Sequence, residues 1–179
     1  ALGLYHEETV QDWFLPFRYF IQFWNTYYGT AHFIVTIVAF VWMFRQRPVD
    51  FPYWRNALAF GTALALVGFS LFPLMPPRLL NDASVYGGAR IAAAEAHPHF
   101  GFVDTLADYG GPWDFDSGTM KQISNQYAAM PSLHIGWSTW CALVMWRLTR
   151  KRWARVLLLL YPAATLFCIV VTANHFWLD

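Results

Sequence analysis

Four runs nearly free of charge recur along the chain, at 30–44, 56–74, 131–148 and 153–171, each bounded by basic or polar residues. A helix rises about 1.5 Å per residue and a bilayer's hydrocarbon core is about 30 Å thick, so a crossing takes about 20 residues. Three of the runs come close to that length, and 30–44 reaches it when its ends are extended. Backbone amides in hydrocarbon must be satisfied within the chain, which restricts such runs to helices. The expected fold is therefore all-α, a polytopic transmembrane helical bundle with four complete spans. Composition agrees: 57% of residues are hydrophobic, 20% aromatic and 13% charged, against about 25% charged in soluble domains. Ten Trp and nine Tyr suit the headgroup layer, where amphipathic rings concentrate. A net charge of +1, with no basic stripe interleaved with aromatics, excludes a nucleic-acid partner.

The remaining segments divide the chain. Residues 7–15 and 17–28 are aromatic-rich but interrupted by Arg18, Gln22 and Asn25, which predicts interfacial helices over 1–28 ahead of a membrane-embedded domain over 29–179. One distorted spanning helix is the alternative for that stretch. Pro76-Pro77 places the end of the second span near Pro73 or Met75. The segment 79–130 is too long for a mere tether. Within it, 101–109 reads as a short helix with Phe102, Val103 and Leu106 facing the membrane, stopped by Gly110-Gly111-Pro112. Thr172 or Asn174 starts a last, incomplete helix. Opening at Ala1 without Met, and stopping at Asp179, the sequence reads as a piece of a longer protein. Cys141 and Cys168 lie in apolar runs and read as small buried hydrophobes.

Orientation follows from the short loops. Arg45, Arg47, Arg55, Arg147, Arg150, Lys151, Arg152 and Arg155 are eight of the twelve basic residues, against Asp50 alone. The positive-inside rule puts those loops in the cytoplasm and the 79–130 loop, Arg78, His134 and His175 on the other side.

Arg78, His134 and His175 thus fall at one membrane depth. Ionisable groups near hydrocarbon are costly unless they face a polar cavity or a partner. Either histidine alone could merely cap a carbonyl or reach toward the headgroups; convergence with an arginine favours chemistry. His175 and Asp179 are four apart, one helix face, so the carboxylate can hold one imidazole nitrogen protonated and leave the other to attack phosphorus. His134 can then protonate a leaving alkoxide. Arg78 can bind phosphoryl oxygens with paired charge-assisted hydrogen bonds. A zinc site from His134, His175 and Asp179, with His97 and His99 nearby, is the weaker reading, because Arg78 at its centre repels a cation. The expected chemistry calls on no metal or cofactor.

Phe72-Pro73-Leu74-Met75-Pro76-Pro77-Arg78, Gln126-Tyr127-Ala128-Ala129-Met130-Pro131-Ser132-Leu133-His134 and Asn174-His175-Phe176-Trp177-Leu178-Asp179 resemble the three motif regions of the type 2 phosphatidic acid phosphatase superfamily. More narrowly, they resemble its inositol-phosphotransferase branch, which includes inositol phosphorylceramide synthase and bacterial relatives. The resemblance implies a six-helix membrane core with its site on the non-cytoplasmic side of, here, a bacterial plasma membrane. It also implies His175 as nucleophile, Asp179 as its orienting carboxylate and His134 as proton donor. The phosphatase branch carries a Lys and an Arg in its first motif and an Arg six residues ahead of the nucleophile; this chain has Arg78 alone, and Ile169 in the latter place.

Lys121 and Arg90, or hydrogen bonds from Asn174, Thr172 and Tyr127, are the candidates to make good that charge, with His32, Thr172 and Ser132 supporting the histidines. Trp137, Phe176 and Trp177 read as packing or anchoring groups. The expected function is transfer, through a phosphohistidine, of a phosphoryl or phosphoryl-headgroup from a membrane lipid to a hydroxyl acceptor such as inositol or a lipid alcohol. The alternatives are a lipid phosphate phosphatase using water, or a catalytically silent lipid-binding or accessory subunit of a larger membrane assembly.

Overall fold

A computed structural model describes residues 6–80, 101–110 and 130–177. Their regular elements are helices: α1 Glu7–Phe14, α2 Arg18–Gln46, α3 Phe51–Leu71, a 3₁₀ turn Pro77–Leu79, α4 Thr105–Asp108, α5 Leu133–Leu148 and α6 Arg152–Val171. α5 is central, packing on α2 and α6 and more lightly on α3. Ala39 and Met43 of α2 meet Trp140, Cys141 and Val144 of α5, with Phe51, Trp54 and Leu58 of α3 and Tyr161 of α6 around them. Several polar atoms here are turned inward and paired, as burial favours. Trp140 Nε1 donates to Trp54 O at 2.9 Å, Thr36 Oγ1 lies 3.4 Å from Cys141 Sγ, and Tyr27 Oη lies 3.2 Å from Thr165 Oγ1.

The long α2 departs from the expected division at residue 28. Its 29 residues, about 44 Å of helix, run unbroken through Gly29 and join 17–28 to the 30–44 run. Gln22 and Asn25 do not end the helix; they face protein, donating to backbone carbonyls of the 101–110 segment. α3 starts earlier than expected, with Pro52 in its first turn, where a missing N–H costs nothing. It stops at Leu71, short of Pro73 and Met75, because the residue before a proline is pushed out of the helical region; Phe72 accordingly has ψ 71°. α5 and α6 match the expected spans within two residues.

Two described helices, α2 and α6, are long and apolar enough to cross a membrane, with only 22% and 28% of their most apolar windows buried. A soluble protein's core helix would show the reverse. Phe33, Ile37 and Val41 of α2 and Val156, Leu157, Leu159 and Leu160 of α6 point outward, so these surfaces associate the chain with a membrane. α3, of 21 residues, and α5, of 16 residues, do not meet both criteria.

The 101–110 segment corrects a second expectation. α4 is a single turn, too short for an amphipathic face, and Phe102 and Leu106 are buried in protein rather than turned to lipid. Phe102 packs with Leu80 and Ala173, flanked by Met75 and Phe176. Val103, half-buried, is gripped by its backbone: Gln11 Nε2 donates to its carbonyl and its N–H donates to Gln11 Oε1, both at 2.9 Å. Gly101 N donates to Glu8 Oε1 at 3.0 Å, and Tyr109 Oη donates to Leu15 O at 3.0 Å. Helix α1 and the start of α2 therefore clasp this segment against the end of the bundle where the candidate residues lie.

Candidate active site

Three chain segments meet at that end, and the turn after α6 organises them. Asn174 N donates to Ile169 O and Ala173 N to Val170 O, each at 2.9 Å, the paired bonds of a Schellman cap. Such a cap needs a left-handed residue, usually glycine; here Ala173 takes φ +52°. The turn sends His175 back over the helix end, where His175 N also donates to Ile169 O at 3.1 Å. Among the described residues no helix starts at Thr172 or Asn174. Both side chains serve the turn: Thr172 Oγ1 donates to Cys168 O at 2.7 Å, and Asn174 Nδ2 donates to Thr172 Oγ1 at 2.8 Å.

α5 supplies the second segment. Ser132 is its N-cap, accepting from Ile135 N at 3.5 Å, a role short hydroxyls favour. The same Oγ lies 3.5 Å from His175 Nε2. His134, in the first turn, has its ring 5.9 Å from that of His175 at 68°. α2 fixes His134 from behind: the Tyr28 ring stacks on it at 4.3 Å and 21°, and the His32 ring meets it edge-on at 4.4 Å. His32 Nδ1 donates to Tyr28 O at 3.1 Å. Tyr28 was hidden from sequence reading by the expected break at residue 28; with the helix continuous, Tyr28 and His32 are four apart on one face.

The third segment is the 3₁₀ turn. Arg78 N donates to Ala173 O at 2.8 Å, which ties the arginine to the His175 turn main chain to main chain. Its guanidinium is buried, and Nη1 donates to Asp104 Oδ2 at 2.6 Å. It lies within electrostatic reach of Tyr28. Asp104 Oδ1 accepts from Leu106 N and Ala107 N, at 3.2 and 3.3 Å, capping α4.

Comparison with protein families matches the PAP2 superfamily over residues 1–179. The chain belongs to the PAP2 superfamily. Comparison with curated proteins and with solved structures gives no match. PAP2 membership brings phosphatase or phosphotransferase chemistry and accords with the membrane association of α2 and α6.

Within this PAP2 chain the structure brings together Arg78, Ser132, His134, His175 and His32, and turns Asn174 and Thr172 inward. Asp179, Lys121, Tyr127 and Arg90 lie outside the described residues, as do His97 and His99. Among the described residues no three His, Cys, Asp or Glu side chains form a metal-binding group. Trp137 packs, donating Nε1 to Thr62 Oγ1 at 3.0 Å; Phe176 packs on Phe102. Cys141 and Cys168 are buried free thiols. Two residues were missed by sequence reading. Tyr28 is one; Asp104 is the other. An Asp before Thr105-Leu106-Ala107 reads locally as a helix cap, but nothing local points to its pairing with Arg78.

Proposed function

We propose that this PAP2 protein is a multi-pass membrane lipid phosphotransferase acting through a phosphohistidine on His175. The approach of His134 and Ser132 to the His175 ring, beside Arg78, carries the reading. Support for the bundle comes from its polarity: the core gathers the end of α2, the start of α3 and the end of α5, so the basic residues flanking those elements lie at one end and the histidines at the other. With α2, α3, α5 and α6 as crossing helices, the site faces the non-cytoplasmic side.

In the proposed step His175 Nε2 attacks phosphorus. The Nε2–P bond forms as the ester P–O bond breaks, and the leaving alkoxide takes a proton from His134. Arg78 holds phosphoryl oxygens, and the Ser132 hydroxyl, 3.5 Å from His175 Nε2, stands where it can donate to another of them. Asp179 is proposed to orient His175, and Lys121 and Tyr127 to add phosphate contacts. A hydroxyl acceptor, inositol or a lipid alcohol, then attacks the phosphohistidine, with His134 now taking the acceptor's proton. Water in that place would make the protein a phosphatase. The shortage of cations relative to the phosphatase branch supports transfer.

Acid-quenched trapping of phosphoenzyme from a lipid donor labelled at phosphorus tests both steps. Label should form in the parent, vanish in His175→Ala and form slowly in His134→Ala, with turnover of the latter down by roughly 10²–10⁴-fold. Added inositol should discharge the label into a new phosphodiester. Label persisting in His175→Ala but missing in His134→Ala would reverse the roles, and free phosphate under every acceptor condition would make the enzyme a phosphatase.

A further inference from the structure

Arg78 is the sole buried Lys or Arg among the described residues, and it does not face the site as a free cation. Nη1 is engaged by Asp104 Oδ2 at 2.6 Å, with side chains only 8% and 20% exposed. Nε is buried and has no hydrogen-bond partner among the described residues. A guanidinium presents five donors in a rigid fork, so a carboxylate held on one edge aims the remaining donors. Here that edge cannot drift. The Asp104 carboxylate is pinned through Oδ1 to the α4 amides, and its neighbours are fixed in turn: Val103 by Gln11, and the fully buried Thr105 by Asn25, to which it donates at 3.0 Å. The opposite constraint, Arg78 N on Ala173 O, fixes the base of the arginine beside the His175 turn.

We infer that Asp104 is a specificity-determining residue of this site: it aims the remaining donors of Arg78 at the phosphoryl group and offsets part of its charge, so that a singly charged phosphodiester is favoured over a doubly charged phosphomonoester. The inference rests on the phosphoryl-transfer reading above and names the charge of its substrate. A phosphomonoester carries nearly two negative charges near neutral pH, and a diester one. A fixed carboxylate behind Arg78 therefore opposes the monoester about twice as strongly. At an effective dielectric of about 20 and a separation of about 8–10 Å, removing one such charge changes affinity on the order of tenfold per unit of substrate charge.

The test uses the full chain in detergent micelles and two donors with identical acyl chains, a phosphatidate and its methyl phosphodiester, with the rate of phosphohistidine formation read as kcat/KM. The parent should prefer the diester. Asp104→Asn and Asp104→Ser both retain a good helix cap, and both should move the monoester-to-diester ratio about tenfold toward the monoester. An unchanged ratio, including equal loss on both donors, would show Asp104 to be a structural anchor only and overturn the inference. A parent-only measurement keeps it exposed if both variants misfold: dimethyl phosphate should protect against labelling at lower concentration than methyl phosphate, and the opposite order overturns it. Absence of label from either donor in the parent would instead overturn the phosphoryl-transfer reading, and the inference with it.

Discussion

Asn25 offers the sharpest test of how the site is held together. It is 1% exposed; Nδ2 donates to Thr105 O at 2.7 Å and to Gly110 O at 3.0 Å, while Oδ1 accepts from Thr105 Oγ1 at 3.0 Å. Asn25→Ala removes all three. The Thr105 hydroxyl keeps a weaker acceptor in Thr172 O at 3.3 Å, but two carbonyls lose a donor. At about 1–3 kcal/mol for each buried group left unsatisfied, the cost is about 2–6 kcal/mol before any relief from entering water. It should fall on the 101–110 segment rather than on the α2–α5–α6 core, because Asn25 joins the two without belonging to the core cluster. Hydrogen exchange followed by mass spectrometry should then show amides of 101–110 exchanging at least about 30-fold faster, since each 1.4 kcal/mol is a factor of ten. Peptides from α5 should be unchanged, and turnover should fall as Asp104 ceases to hold Arg78. Unaltered exchange in 101–110, or equal acceleration throughout α5 and α6, would refute this account of the clasp.

Two further outcomes follow from packing. Stacked aromatic pairs contribute about 0.5–1.5 kcal/mol beyond burial, so Tyr28→Leu, which strips the ring from His134, should lower turnover of alkyl phosphates roughly two- to tenfold. An aryl phosphate, whose leaving group needs no proton, should be indifferent to this change. At Gly68 an added Cβ would sit 3.0 Å from Pro131 Cδ, against a rigid ring one residue ahead of Ser132, whereas at Gly61 nothing lies within 4 Å. Gly68→Ala should therefore lower thermal stability by about 1–3 kcal/mol through overpacking and reduce activity, while Gly61→Ala should match or exceed the parent by up to about 1 kcal/mol.

The apolar runs that form α3, α5 and α6 were legible because each is long and bounded by charge or proline. What stayed hidden depended on contacts between distant segments. Gln22 and Asn25 look like interruptions of a spanning run, and only their partners at 105–110 reveal them as buried anchors within one helix. Phe102 and Leu106 look lipid-facing for the same reason. At the site, the order of Arg78, His134 and His175 along the chain was readable from the positions of the apolar runs. The Arg78–Asp104 pair spans 26 residues, and no periodicity encodes it. Ala173 gives no local sign of its positive φ, since the left-handed position after a helix is normally announced by glycine.

The hydrogen bond from Arg78 N to Ala173 O separates two properties that substitutions would otherwise couple. Because the link uses main-chain atoms, the spacing between the cation's attachment point and the nucleophile's turn does not depend on which side chain stands at 78; proline alone would remove the donor. Relatives could therefore exchange the charge at this position, or at its counter-ion, and inherit the same ruler between the groups proposed to hold and to attack phosphate. Under the proposed function, the substrate's charge becomes a trait that can change by single steps on an unchanged frame.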